Sequence, residues 1–184
     1  MRSPWLAAAL LLIPALTGCR GPEAYLAPGI PFRLCAPREG PAMFLTQEVV
    51  FTLPGGAQET AIAVLENKGG QFSVVASTPM GQTLFIVQLK GAEVSVDARI
   101  AIPGDLDPRV LPALVQMVLW PLEAVRRGLG PDVQLLEEGP RRSLVRKGKV
   151  VWTATRTGPG DPPSALLLEN PGLHLSVHIR NLEP

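Results

Sequence analysis

The feature that most constrains this chain is a change of hydrophobic period near its middle. From Met43 the sequence alternates with period two: Leu45, Gln47, Val49, Phe51 and Leu53 fall on one side, and Phe44, Thr46, Glu48, Val50 and Thr52 on the other. Successive strand residues point to opposite faces, so such alternation predicts a strand with one buried face. Pro54-Gly55-Gly56 ends it. A second strand is expected over Thr60 to Glu66, closed by the hairpin signal Asn67-Lys68-Gly69-Gly70. Phe72, Val74 and Ala76 carry a third strand, Thr83 to Leu89 a more continuously apolar fourth, and Val94, Val96, Ala98 and Ile100 a fifth. Short turns between five strands imply an antiparallel meander.

The period then becomes helical. Asp107 suits an N-cap and Pro108 the first helical position. Val110, Leu111, Leu114, Val115, Val118 and Leu119 recur at helical spacing. Trp120-Pro121 breaks this helix, and Pro121 can open a short second one through Leu122, Val125 and Leu129 before Gly130-Pro131 stops it. Five more strands are expected over Val133–Leu136, Ser143–Arg146, Val150–Thr155, Ser164–Leu168 and Leu173–Arg180. The fold class is therefore mainly β with a helical insertion (α+β): a curved antiparallel half-barrel covered by helices. A sheet this long curls, and helices cover its apolar concave side. Such a cup is either filled by its own side chains or open to a ligand.

Composition excludes several classes. Formal net charge is +1 over 184 residues, so the bulk charge gives no electrostatic case for nucleic acid or an anionic membrane surface. With Cys19 and Cys35 the only cysteines, and Cys19 read below as lipid-bearing, no disulfide framework is expected. Ser, Asp and His occur, but no Gly-x-Ser-x-Gly elbow, His-Glu-x-x-His pair or Walker loop does, so no catalytic residues and no cofactor are assigned. His174 and His178 are the only histidines, four residues apart on an expected strand, and no metal site is assigned.

The N-terminus points to export. Arg2 precedes an apolar run from Trp5 to Leu16, a signal-peptide length too short to span a bilayer comfortably. The run ends in Leu16-Thr17-Gly18-Cys19, which resembles the lipobox of bacterial lipoproteins. The resemblance implies a signal peptide over 1–18 and acylation (palmitate) of Cys19. Each buried CH₂ contributes roughly 0.8 kcal/mol, so two or three chains anchor stably. Arg20 rather than Asp after the cysteine implies, by the lipoprotein sorting rule, the periplasmic face of the outer membrane of a Gram-negative cell. Residues 19–41, rich in Pro and Gly, read as a lipidated tether ahead of a domain over 42–184.

The order of elements resembles that of the LolB family of outer-membrane lipoproteins, which receive lipoproteins from a periplasmic carrier. Thr78-Pro79-Met80-Gly81 is similar to that family's Asn-Pro-Leu-Gly turn, whose leucine enters the membrane; the match implies a membrane-insertion loop of Pro79, Met80 and Gly81. Trp120-Pro121-Leu122 through Gly130-Pro131-Asp132, Val150-Val151-Trp152 and the stretch from Pro162 to Ile179 also resemble the family. A Pro-x-Gly turn and a Trp-Pro pair are shared as well with an uncharacterised lipoprotein family encoded beside aryl-polyene biosynthesis genes. The chain differs from LolB in its 5% aromatic content.

What the resemblance implies is binding of acyl chains in the half-barrel and delivery of lipidated cargo, a lipoprotein or a lipid-linked product, to the membrane, by a LolA/LolB-like non-enzymatic monomer. The partners implied are membrane lipid through Cys19, the acyl chains of cargo and a periplasmic LolA-like carrier. The cavity lining is then expected to comprise Val49, Phe51, Ile62, Val64, Phe72, Val74, Leu84, Ile86, Val94, Val96, Leu114, Val118, Trp120, Trp152, Leu175 and Val177. Transfer of acyl surface into such a cup is favourable by about 25 cal/mol per Å². The alternative is a structural or assembly lipoprotein with a filled cup, acting through protein contacts on its outer surface.

Overall fold

The computed structural model describes residues 21–99, 109–160 and 162–182. The lipobox with Cys19, the signal segment, Ile100, Asp107 and Pro108 lie outside the described residues. A short hairpin, β1 (Glu23–Ala27) and β2 (Ile30–Arg33), comes first. The meander follows as β3 (Met43–Thr52), β4 (Gln58–Lys68), β5 (Gln71–Ser77), β6 (Thr83–Lys90) and β7 (Glu93–Ala98). Helices α1 (Val110–Leu119) and α2 (Leu122–Gly128) precede β8 (Val133–Glu138), β9 (Arg141–Arg146), β10 (Lys149–Thr157), β11 (Ala165–Asn170) and β12 (Leu175–Leu182).

β3 to β12 form one curved ten-stranded sheet in the order β7-β6-β5-β4-β3-β12-β11-β10-β9-β8, every neighbouring pair antiparallel. The last strand closes onto the first of the meander, with Val177 opposite Phe51 and Ile179 opposite Val49. Local chemistry accounts for the punctuation. Gly69 and Gly70 both have positive φ, 61° and 79°, as a two-residue hairpin turn of the primed type requires. Trp120 is extended, at φ −76° and ψ 156°, because the proline after it disfavours helical backbone. In α2, Glu123 lies in the first turn and Arg126 and Arg127 in the last, each sign favourable to the helix dipole.

The core lies between the concave face of the sheet and a cover made of the β1–β2 hairpin, the short turn Pro37–Glu39, α1 and α2. Its fully buried large side chains come from both parties: Phe32, Leu26, Leu34, Met117 and Trp120 from the cover, and Leu65, Phe72, Leu89, Leu135 and Leu144 from the sheet. Phe72 meets Trp120 edge to face with ring centroids 5.2 Å apart.

Here the expected tether over 19–41 needs correction. Over its described part the chain does not stand clear of the body. Ala24, Leu26, Ile30, Phe32, Leu34 and Cys35 are all buried in the core. Their alternation with exposed Glu23, Tyr25, Pro31 and Arg33 is a strand signal, but the strands are only five and four residues long and interrupted by Pro and Gly.

Candidate functional site: a covered apolar cradle

The concave face is the candidate site, and its register differs from expectation in two strands. In β4 the inward residues are Ala61, Ala63 and Leu65; Ile62 and Val64 lie on the outer face, half-exposed. In β6 Val87 and Leu89 face inward, so Leu84 and Ile86 also lie outside. These four therefore do not line the cradle. Both strands are apolar on both faces, so period two alone does not decide which face turns inward. Val96 does face the concave side, beside Val87, but at the open β7 edge it is 40% exposed.

Val49, Phe72, Val74, Val118, Trp120, Trp152 and Val177 are buried in the core, and Phe51, Val94, Leu114 and Leu175 pack against it. Where an open hollow was one expectation, these side chains belong to one packed cluster drawn from both sheet and cover. Two open depressions, of about 520 and 450 Å³, lie on the outer side of the sheet; one is lined chiefly by Gln71, Gln88, Lys90, Glu93 and Ser95, the other by Glu48, Val50, Leu167, His178 and Arg180 among others.

The way the cover is fastened was not legible in the sequence. Apart from Val133 N–H donating to Gly130 O, where the chain runs into β8, no backbone–backbone hydrogen bond joins cover to sheet among the described residues. Side chains make the connections instead. Asn67 Nδ2 donates to the carbonyls of Pro37 (3.0 Å) and Pro41 (2.7 Å). Trp152 Nε1 donates to Leu26 O at 2.6 Å. Arg146 reaches Gly29 O at 2.8 Å, and Arg126 of α2 reaches back to Leu135 O at 3.0 and 3.1 Å.

Arg142 is the centre of this set. From β9 its Nη1 approaches three carbonyls at the end of α1: Met117 (3.0 Å), Val118 (3.0 Å) and Trp120 (2.7 Å). These carbonyls end a helix and have no intrahelical donors to satisfy them, so a cation there is favourable. Arg142 Nε also donates to Glu137, and Arg156 bridges Glu137 and Val118 O, each at 3.3 Å. Burial lowers the Arg142 pKa from its ordinary value, while the hydrogen bond it donates to Glu137 opposes that; the same bond is the largest cause holding Glu137 below the usual carboxylate range.

Within itself the cover is tied more tightly. Cys35 and Gln116 exchange two buried hydrogen bonds, Cys35 N–H to Gln116 Oε1 (2.8 Å) and Gln116 Nε2 to Cys35 O (3.0 Å). Glu39 pairs with Arg127 at 2.8 Å, and Phe32 bridges to Leu129. The hairpin and helices thus form one unit. The indole N–H of Trp120, at its centre, has no partner among the described residues.

A second feature stands apart from the cradle. Thr78-Pro79-Met80-Gly81 closes the β5–β6 hairpin with Gly81 N–H bonded to Thr78 O at 2.9 Å and Thr78 N–H to Gln82 O at 2.8 Å. Pro79 takes the second position of the turn and Gly81 the left-handed one, φ 86°. Met80 at the apex is 97% exposed. At the other end of the chain, His174 sits in a turn with φ 48° rather than on β12, so it does not share a strand with His178. Among the described residues no group of His, Cys, Asp and Glu could hold a metal, and no helix is long and apolar enough to cross a membrane.

The sequence profile of a family described as protein of unknown function (DUF3261) matches residues 45–183. No curated protein matches the chain. Solved structures with a similar course include a LolA superfamily protein from Nitrosomonas europaea, at 10% identity over 80% of this chain and 88% of that one, with a TM-score of 0.48. Another is a domain from Vibrio parahaemolyticus described as an outer membrane lipoprotein-sorting protein, at 9% identity over 76% and 83%, with a TM-score of 0.37.

Proposed function

The chain belongs to the DUF3261 family of proteins of unknown function, and on that premise we propose that it is an envelope lipid-handling protein whose sheet takes acyl chains beneath a displaceable cover. Cys19 holds it to the outer membrane by lipid, and cargo passes to that membrane with the Met80 turn as a contact point. No reaction at a catalytic group is involved. The observation that carries this reading is the fastening of the cover. An apolar concave face shut by a unit held through side-chain donors can be opened without breaking the sheet. Uncovered, it would present Val49, Leu65, Phe72, Val74, Trp152 and Val177 as a continuous apolar surface. The orphan indole N–H of Trp120 supports the same reading: an unsatisfied buried donor costs about 1–3 kcal/mol, and an acyl carbonyl oxygen could accept from it.

The test is binding of a fluorescent fatty acid to the protein. Val74→Gln, on the inner face, should abolish binding; Leu84→Gln, on the outer face, should leave it. No binding by the unaltered protein overturns the proposal. That result would favour the second reading, an assembly lipoprotein with a permanent core that acts through its outer surface, and the filled interior is the observation in its favour.

A further inference from the structure

The start of the β1–β2 hairpin determines how far the body can stand from a lipid on Cys19. Leu34 N–H bonds to Pro22 O at 2.9 Å, so the chain is already pinned at Pro22. A Cβ on Gly21 would lie 1.9 Å from Leu34 O, so the backbone at Gly21 is pressed against the body too. Only Arg20 separates Gly21 from Cys19. A fully extended chain covers about 3.5 Å per residue, so Cys19 is within roughly 7 Å of Gly21. A flexible linker running to Pro41 would instead allow an average separation of roughly 25 Å.

We infer that the outward face of the cover, the β1–β2 hairpin with α2 beside it, is the surface on which this protein lies against the bilayer holding its own acyl chains. The inference rests on the reading of Cys19 as lipidated. Its chemistry suits a lipid surface. Tyr25, 51% exposed, and exposed Pro31 stand opposite each other on the outward side of the hairpin. Tyrosine is favoured at the headgroup level, where its ring is half in apolar surroundings. The elements of the cover carry four arginines, Arg33, Arg38, Arg126 and Arg127, against Glu23, Glu39 and Glu123; with Arg126 and Arg127 paired to Glu123 and Glu39, one positive charge remains in excess, which suits phosphate headgroups. Lying this way, a displaced cover opens the cradle toward the bilayer rather than toward water.

The test uses the full, processed chain reconstituted in phosphatidylcholine vesicles containing a minority of phosphatidylglycerol. A fluorophore is attached at Pro31→Cys or at Ser95→Cys, on the outer face of β7; Cys35 is buried and does not compete for it. Headgroup spin-labelled lipid should quench the label at position 31 several-fold more than that at 95. A flexible Gly-Ser spacer inserted between Arg20 and Gly21 should bring the two toward equality. Mass spectrometry of the N-terminal peptide separates the failures. An acylated chain with equal quenching at both positions overturns the docking surface alone. A chain with no acyl group on Cys19 overturns the docking surface together with the lipid anchor, and fatty-acid binding to the cradle is read independently of both.

Discussion

The sheet and its cover bury comparable side chains against each other but are built by different means. In the sheet, neighbouring strands share backbone ladders, from β3–β4 with ten paired residues to the shorter edges. In the cover, the hairpin and helices hold one another through Gln116, Cys35, Glu39 and Arg127, yet among the described residues reach the sheet through side chains, save for the single backbone bond at Gly130 where the chain enters β8. Burial is non-directional and contributes to both regions, whereas hydrogen bonds decide which pieces move as a unit. A boundary crossed almost wholly by side chains is where local opening is least costly.

Arg142→Ala should break this contrast most severely. It leaves the buried carbonyls of Met117 and Trp120 without this donor, while Val118 O and Glu137 keep only Arg156; about 3 kcal/mol is expected, since each buried acceptor left unpaired costs about 1–3 kcal/mol. Urea denaturation should show the loss, and amide exchange should place it first in α1. Asn67→Ala removes the donor to Pro37 and Pro41 only; about 2 kcal/mol is expected, confined to the 37–41 segment in exchange.

Acidification gives a smaller effect of fixed sign. The Glu137 pKa is lowered on folding, chiefly by the hydrogen bond from Arg142. Its contribution is complete above the ordinary glutamate value and is lost as pH falls below that value and through the folded one. The cover should therefore loosen below the ordinary carboxylate range, and Glu137→Gln should flatten that part of the pH profile. Smallest in stability is Met80→Glu, within about 0.5 kcal/mol because the side chain is solvent-exposed, but flotation of the chain without its acyl groups should show reduced vesicle association.

The sheet was largely legible because period two, Gly-Gly turns and the Trp120-Pro121 break are local signals. Its faces were less so. In Ala61-Ile62-Ala63-Val64-Leu65 hydrophobicity alone points Ile62 and Val64 inward, but the face is set by pairing with β3, where Val49 lies opposite Ala61 and Leu45 opposite Leu65, and that register is not written in the segment itself. Distance along the chain hid the hairpin's place in the cover. Residues 23–34 look like a linker because two short strands with Pro and Gly gain their stability from helices about ninety positions later, through pairs such as Cys35 with Gln116. In the sequence Arg142 is half of a bare Arg141-Arg142 pair, and no local pattern marks a side chain that caps a helix from another element. The apex position of Met80 was legible, since Pro79 and Gly81 specify the turn by themselves.

The most direct test of a separable cover is amide hydrogen exchange, followed by mass spectrometry, with and without a bound fatty acid. Peptides spanning 23–34 and 110–128 should open at lower free energy than those of β3, β4 and β12, and the fatty acid should change protection in the cover while the central strands stay as they were. A single opening free energy shared by cover and sheet, unmoved by the fatty acid, would contradict the account.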